Sequence, residues 1–273
     1  MRHLIISLSV CTLMHASQTP DSWFKDGNVS GNLKYYYIET NMNFFEAQRT
    51  SAHSNAIGGV LKYNTSRLHG IQLNTAFMIT QGFLLPDNVE SSTLGQDEGK
   101  KGLSAKDAYS VLGEVNLDYI NKYFNLWYGR KLVNTPMIGP KSARMLPSTI
   151  EGGEVSAYIS KDTSVSLLYA DKFKQRTAKN FTNIIKHALG SDTYAVTGSD
   201  EGSTYTLHLQ HLLDRSALNI YNMYAPDFLN VAYVDIKYTN DFYTLAAQAV
   251  QQVSVGNANT NLAKTSSITN GKK

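Results

Sequence analysis

Three observations predict an all-β protein whose antiparallel strands build a transmembrane barrel. From residue 28 onward, segments of about ten residues alternate apolar and polar side chains. The connections between them alternate short and long. Charged side chains make up only 17% of the 273 residues, while Tyr, Asn, Ser and Thr are frequent, which suits strands with one apolar and one wet face. A sheet with a lipid face must close on itself, since each unpaired backbone group in hydrocarbon costs several kcal/mol. The length suits one domain, and no shift in composition divides it.

Residues 1–16 read as a secretory signal peptide: Arg2 and His3 give a basic start, Leu4 to Met14 an apolar run, and Ala16 a small residue before cleavage. The run is too short for a spanning helix. Residues 17–273 are then the barrel domain. Without the leader, whose only charge is Arg2, 24 basic side chains face 22 acidic ones, a net charge of about +2 that offers no footprint for nucleic acid. The single cysteine, Cys11, falls inside the leader, and Leu8-Ser9-Val10-Cys11 makes a poor lipoprotein site because Val10 is bulky. The exported chain would therefore carry no disulfide.

The first strand, 29–40, sets Val29, Leu33, Tyr35 and Tyr37 against Ser30, Asn32, Lys34 and Tyr36. Residues 56–65 set Ile57, Gly59, Leu61 and Tyr63 against Lys62 and Asn64. In 71–80, Ile71, Leu73, Thr75, Phe77 and Ile79 oppose Gln72, Asn74 and Met78. In 110–119, Val111, Val115, Leu117 and Tyr119 oppose Ser110, Glu114, Asn116 and Asp118. Further strands follow at 124–132, 154–159, 163–171, 203–210, 217–224, 231–238 and 242–252, eleven in all. Tyr35, Tyr37, Tyr63, Tyr119, Phe124, Tyr158, Tyr169 and Tyr238 stand toward strand ends, where amphipathic rings form interfacial girdles.

Tight turns are expected at 66–70, 120–123, 160–162, 211–216 and 239–241, and long loops at 41–51, 81–109, 133–153 and 172–202; the short link at Pro226 alone breaks the rhythm. Short turns on one side and long loops on the other are the habit of outer-membrane barrels. Within the last long loop, Phe181, Ile184, Ile185, Ala188 and Leu189 recur at helical spacing, with Asn180 as N-cap and Gly190 past the end. Barrels of this kind take an even number of strands. Eleven strands, followed by polar residues 253–273, lead to the expectation that C-terminal strands are missing.

The stretch 124–153 carries the chemistry. A strand ends in Arg130-Lys131, and then Pro136, Pro140 and Pro147 keep the chain out of any sheet interior. Between them Lys141 and Arg144 mingle with Met137, Ile138, Met145 and Leu146, a segment too apolar to lie on a wet surface and expected to fold inward. Arg130 and Lys131 face opposite ways in a regular strand, and a charge toward lipid costs ~2–4 kcal/mol at the bilayer midplane. A bulge at Gly129 would turn both inward, and Lys131 is expected to face the interior. The remaining wall candidates are a positive column, Lys34 and Lys62, and a negative pair, Glu114 and Asp118, set to hold a field across the lumen. Cations in a narrow passage of low dielectric attract anions, and Arg grips a carboxylate in two places. Lys172, Lys174 and Arg176 either gather anions at a mouth or are solvated surface.

Residues 126–152 resemble the OprD family of outer-membrane porins. The likeness rests on Thr135-Pro136-Met137-Ile138 and Arg144-Met145-Leu146-Pro147-Ser148-Thr149, the family's inward-folding third loop, and extends more weakly over 28–40, 55–65 and 171–176. It is closest to ε-proteobacterial forms. The resemblance implies an 18-stranded barrel about half as long again as this chain. It also implies a pore narrowed by the third loop and a ladder of basic side chains passing small carboxylate-bearing solutes. Arg144 would be the loop's basic residue at the constriction; the acidic residue that some members carry two positions earlier is Ser142 here.

Other classes fit less well. Ser203, His187, His208, His211 and Asp200 are hydrolase residue types, but no motif sets a nucleophile beside a base, so no enzyme is expected. His208 and His211 fall on opposite faces, so no metal and no cofactor is expected. A non-conducting surface-binding or adhesion barrel, using the loops at 81–109 and 172–202, is the alternative. The expected partners are outer-membrane lipid and small anionic or zwitterionic solutes, and the resemblance permits a monomer or a homotrimer.

Overall fold

The computed structural model describes residues 2–11, 19–44, 47–82, 90–91, 103–104, 109–140 and 145–261, with the backbone alone at 2–11, 38–44, 47–55, 90–91 and 103–104. The chain begins with β1 (Arg2–Cys11), α1 (Pro20–Lys25), β2 (Asn28–Phe44), β3 (Ala47–Asn64) and β4 (Ile71–Gly82). The short β5 (Glu90–Ser91) and β6 (Leu103–Ser104) precede β7 (Tyr109–Ile120), β8 (Phe124–Lys131), β9 (Thr149–Tyr158) and β10 (Thr163–Lys174). After β11 (Thr182–Asn183), α2 (Ile184–Leu189) and α3 (Thr193–Thr197) come β12 (Thr204–Leu213), β13 (Ser216–Ala225), β14 (Leu229–Thr239) and β15 (Thr244–Ser254). The strands join in the order β1-β2-β3-β4-β7-β8-β9-β10-β12-β13-β14-β15, with β11 added on β10 and β5 paired to β6 apart from them. All eleven predicted strands are present. The twelfth long strand is β1, the apolar run read as a leader, which lies antiparallel along β2 with Leu8 opposite Leu33.

Two compact units divide the chain: Met1–Asp118 with Gly129–Ile150 and Lys174–Phe181, and Tyr119–Tyr128 with Glu151–Phe173 and Thr182–Lys273. In the first unit the period-two pattern drawn from the sequence is realised in β2, β3 and β4. Val29, Leu33, Leu61, Phe77, Ile79 and Leu117 are exposed on one, apolar face. Register aligns Leu33 with Gly59 and Gly59 with Ile79, so the missing side chains at Gly31 and Gly59 leave an apolar groove of about 450 Å³ on that face. The opposite face carries Lys34, Lys62, Asn74 and Asn116. Helix α1, which the alternation pattern did not reveal, starts in a capping box between Thr19 and Ser22 with Pro20 in its first turn. It is tied to the turn after β3 by Ser66 N donating to Trp23 O at 2.9 Å.

The structure corrects four local expectations. No long loop spans 41–51: β2 and β3 continue as a hairpin until Phe44 faces Ala47, with an irregularity between Met42 and Phe44. Backbone pairing satisfies itself there whatever the polarity of the side chains. Alternation in β7 breaks at Gly113. Tyr109 and Val111 pack on the polar face while Leu112 is exposed, a Cβ on Gly113 would strike the Met78 side chain, and Glu114 and Asn116 then continue on that same side. Val111 therefore does not share a face with Val115. Strand β9 begins at Thr149, ahead of the glycine pair, and Gly152 lets it approach the Tyr169 backbone where a Cβ would collide. Finally, Asn183 and not Asn180 caps α2, because Thr182 and Asn183 are held as strand against Phe173 and Lys172.

In the second unit Leu126, Tyr128, Val155, Leu167, Leu207, Ile220, Val234 and Ile236 are exposed on the apolar face. Rings cluster at strand ends, with Tyr119 and Phe124 5.6 Å apart and Tyr169 and Tyr205 5.5 Å apart. Asn183 Oδ1 accepts from the amides of Ile185, Lys186 and Gly202, which pins the helical excursion back to its own start. Residues 256–261, expected as loop, form a helical turn whose Asn257 and Asn261 side chains donate to carbonyls of α3.

Candidate functional site

The site lies on the polar face of the first unit. Tyr36, Ala56, Val60, Ala76 and Met78 form an apolar island among polar neighbours, and Met145 and Leu146 of the proline-rich segment are buried on it together with Tyr109. Burying two large apolar side chains is worth about 1.5–3 kcal/mol each, enough to fold the segment inward. Two closures shape it. Thr135 N donates to Ile138 O at 2.8 Å while Thr135 Oγ1 accepts from Ile138 N at 2.8 Å, so the Thr-Pro-Met-Ile run is a tight turn. Further on, Ser148 N donates to Pro140 O at 2.7 Å, drawing together the ends of the stretch that carries Lys141 and Arg144. Lys141 and Arg144 themselves lie outside the described residues.

The charges predicted to stand apart are paired. Lys62 Nζ sits 2.6 Å from Glu114 Oε1, and Lys131 Nζ sits 3.1 Å from Asp118 Oδ1. No separation into a positive column and a negative pair exists, because both carboxylates project from β7 within reach of the lysines. Glu114 Oε2 also accepts from Leu132 N at 3.3 Å, which anchors the start of the inward segment, a role sequence spacing did not suggest. Lys34 stands opposite Gly58, and among the described residues no carboxylate pairs with it.

Gly129 takes φ +126°, which interrupts regular strand geometry just before the two cations. Lys131 lies on the polar face with Asp118. The Arg130 guanidinium lies 4.3 Å from the centre of the Phe181 ring. Phe181, assigned from spacing to a helix face, precedes α2 and serves as this platform. Lys174 is not solvated surface: it is fully buried and donates to backbone carbonyls. Lys172 is paired with Glu151 at 2.7 Å.

The polar face of the second unit is ordered by register. His208, Tyr221 and Tyr233 are directly opposed, and the His208 and Tyr221 rings stack at 3.9 Å. Beside them Asn219 accepts from Gln210 and donates to Asp235 at 3.0 Å. His211 turns instead to Thr163, at 2.9 Å. Among the described residues no three His, Cys, Asp or Glu side chains gather where they could share a metal ion.

No family model and no curated protein matches the sequence. Solved structures do match. Acinetobacter baumannii OccAB3 superposes with TM-score 0.70 at 16% identity over 85% of this chain and 59% of its own. Pseudomonas aeruginosa OccK8 (OprE) gives 0.70 at 16% over 89% and 58%, and P. aeruginosa OpdK with vanillate gives 0.67 at 15% over 87% and 60%. The fold of this chain matches part of an OprD/Occ barrel. The OprD/Occ barrels have 18 strands, of which the sheet described here matches 12, and the chain spans about 60% of the length of the structures it matches.

Proposed function

We propose that this chain belongs to an outer-membrane channel of the OprD group, of the ε-proteobacterial type, through which small water-soluble, carboxylate-bearing solutes diffuse down their gradients. The observation that carries the proposal is the burial of Met145 and Leu146 on the polar face, beside the Lys62–Glu114 and Lys131–Asp118 pairs. A segment anchored on the water-facing side of a barrel narrows the passage and puts its own cations into it. Arg144 and Lys141 supply those cations, between Pro140 and Met145. Lys34, Lys62, Arg130, Lys131, Glu114 and Asp118 line the wall, where the lysine–carboxylate pairs contribute no net charge and Lys34 favours anions. The vanillate in the OpdK structure is a carboxylate, which supports the same solute class. Residues 1–16 act as a signal peptide, and its removal on export takes β1 from the sheet and leaves β2 as the edge strand; the apolar face lies against lipid acyl chains. Transport of this kind needs no bond made or broken, so the chain is not an enzyme and uses no cofactor.

The experiment is single-channel recording in a planar bilayer, comparing wild type with Arg144→Ala in a salt gradient. The expected result is a conducting pore whose anion preference falls in the variant. A silent barrel would overturn the channel reading in favour of a surface-binding protein, and unchanged selectivity would remove Arg144 from the constriction.

A further inference from the structure

Lys174 is completely buried, with 0% of its surface exposed, and among the described residues no carboxylate accompanies it. A buried ammonium is unfavourable unless each of its protons finds an acceptor. Here three backbone carbonyls do so: Pro147 O at 3.3 Å, Gln175 O at 3.3 Å and Ala178 O at 3.5 Å. Two of these belong to the turn that follows Lys174, which closes by Ala178 N donating to Gln175 O at 2.9 Å. The third belongs to the inward segment, one residue after the buried Leu146.

The residues around Lys174 also turn inward. Thr177 and Ala178 are buried, Tyr109 Oη donates to Arg176 O at 3.3 Å, and the Phe181 ring lies beneath Arg130. Residues 174–181 thus sit against the proline-rich segment in the same compact unit. We propose that Lys174 is a positioning residue that locks the Pro147 limb of the inward segment to residues 174–181, and that these residues form a second wall of the constriction. The inference rests on the channel reading for its second half only. Without the ammonium, the Pro147 carbonyl loses its donor and the limb is free to leave the polar face.

Ser148, next to Pro147 and buried, is the reporter. In a Cys11→Ser background, Ser148→Cys is the only thiol, and its labelling by a charged methanethiosulfonate is followed in protein refolded into phosphatidylcholine vesicles. Labelling should be at least about ten-fold faster with Lys174→Met than with Lys174, and Lys174→Arg should restore protection, with heat-modifiable gel mobility reporting that each barrel is folded. Equal labelling rates with Lys174 and Met would overturn the lock. Acylation of wild-type lysines, read by mass spectrometry, needs no variant to fold: Lys174 should react about ten-fold more slowly than the exposed Lys179, and equal reactivity overturns the lock as well. Neither readout needs an ion current, so a silent barrel would sink the channel reading while leaving the lock to be judged on its own. In a conducting barrel, Lys174→Met should raise open-channel conductance and noise; unchanged current would remove residues 174–181 from the passage.

Discussion

Lys62 Nζ lies 2.6 Å from Glu114 Oε1 although their strands, β3 and β7, are not neighbours. Between them β4 presents Ala76 directly opposite Lys62, and its short side chain lets the lysine reach across. Lys62→Met should leave Glu114 buried without its cation, costing about 1–3 kcal/mol, toward the lower end because Lys62 is part-exposed. The released carboxylate should also shift the reversal potential toward cations, and Glu114→Gln should shift it toward anions. Urea unfolding in lipid and bilayer recording check the two effects, and no shift with either variant would place the pair off the ion path.

Facing can be tested with one strand. Leu207 is exposed on the apolar side of β12, and Gln210 hydrogen-bonds on the polar side. Leu207→Arg should destabilise the folded protein in bilayers by ~2–4 kcal/mol, as a charge placed toward the membrane midplane does, whereas Gln210→Arg should cost well under half of that. Equal penalties in equilibrium unfolding would contradict the assignment of faces.

The Arg130–Phe181 contact at 4.3 Å predicts a coupling energy. In a double-mutant cycle of Arg130→Gln and Phe181→Leu, unfolding should report about 0.5–1 kcal/mol of interaction, more if the pair is desolvated. Additive single effects would show that the ring does not hold the guanidinium.

Asn183 and Asn180 offer rival caps for α2. Asn183→Ala should cost about 1 kcal/mol through loss of the acceptor for Ile185 and Lys186, while Asn180→Ala should be close to neutral. Proteolysis of the excursion after β10 would read the difference, with Asn183→Ala cut sooner.

The sequence of this chain determined the eleven long strands from β2 onward and most of their faces, because period-two alternation is a local property: each side chain's direction follows from its neighbours in the chain. Pro136, Pro140 and Pro147 likewise marked the inward segment, since proline cannot serve a sheet interior wherever it lies. Local pattern was weaker where backbone geometry departs from regularity. The step at Gly113 put Val111 on the other face, and pairing of Thr182 and Asn183 with β10 moved the cap of α2 three residues. Only the tertiary structure decided which charges meet. Lys62 finds Glu114 because β4 is narrow at Ala76, Arg130 finds Phe181, and Lys174 finds Pro147, and the partners stand 52, 51 and 27 residues apart in the chain. Such pairs depend on strand order and on the path of the inward segments, and a spacing rule carries neither.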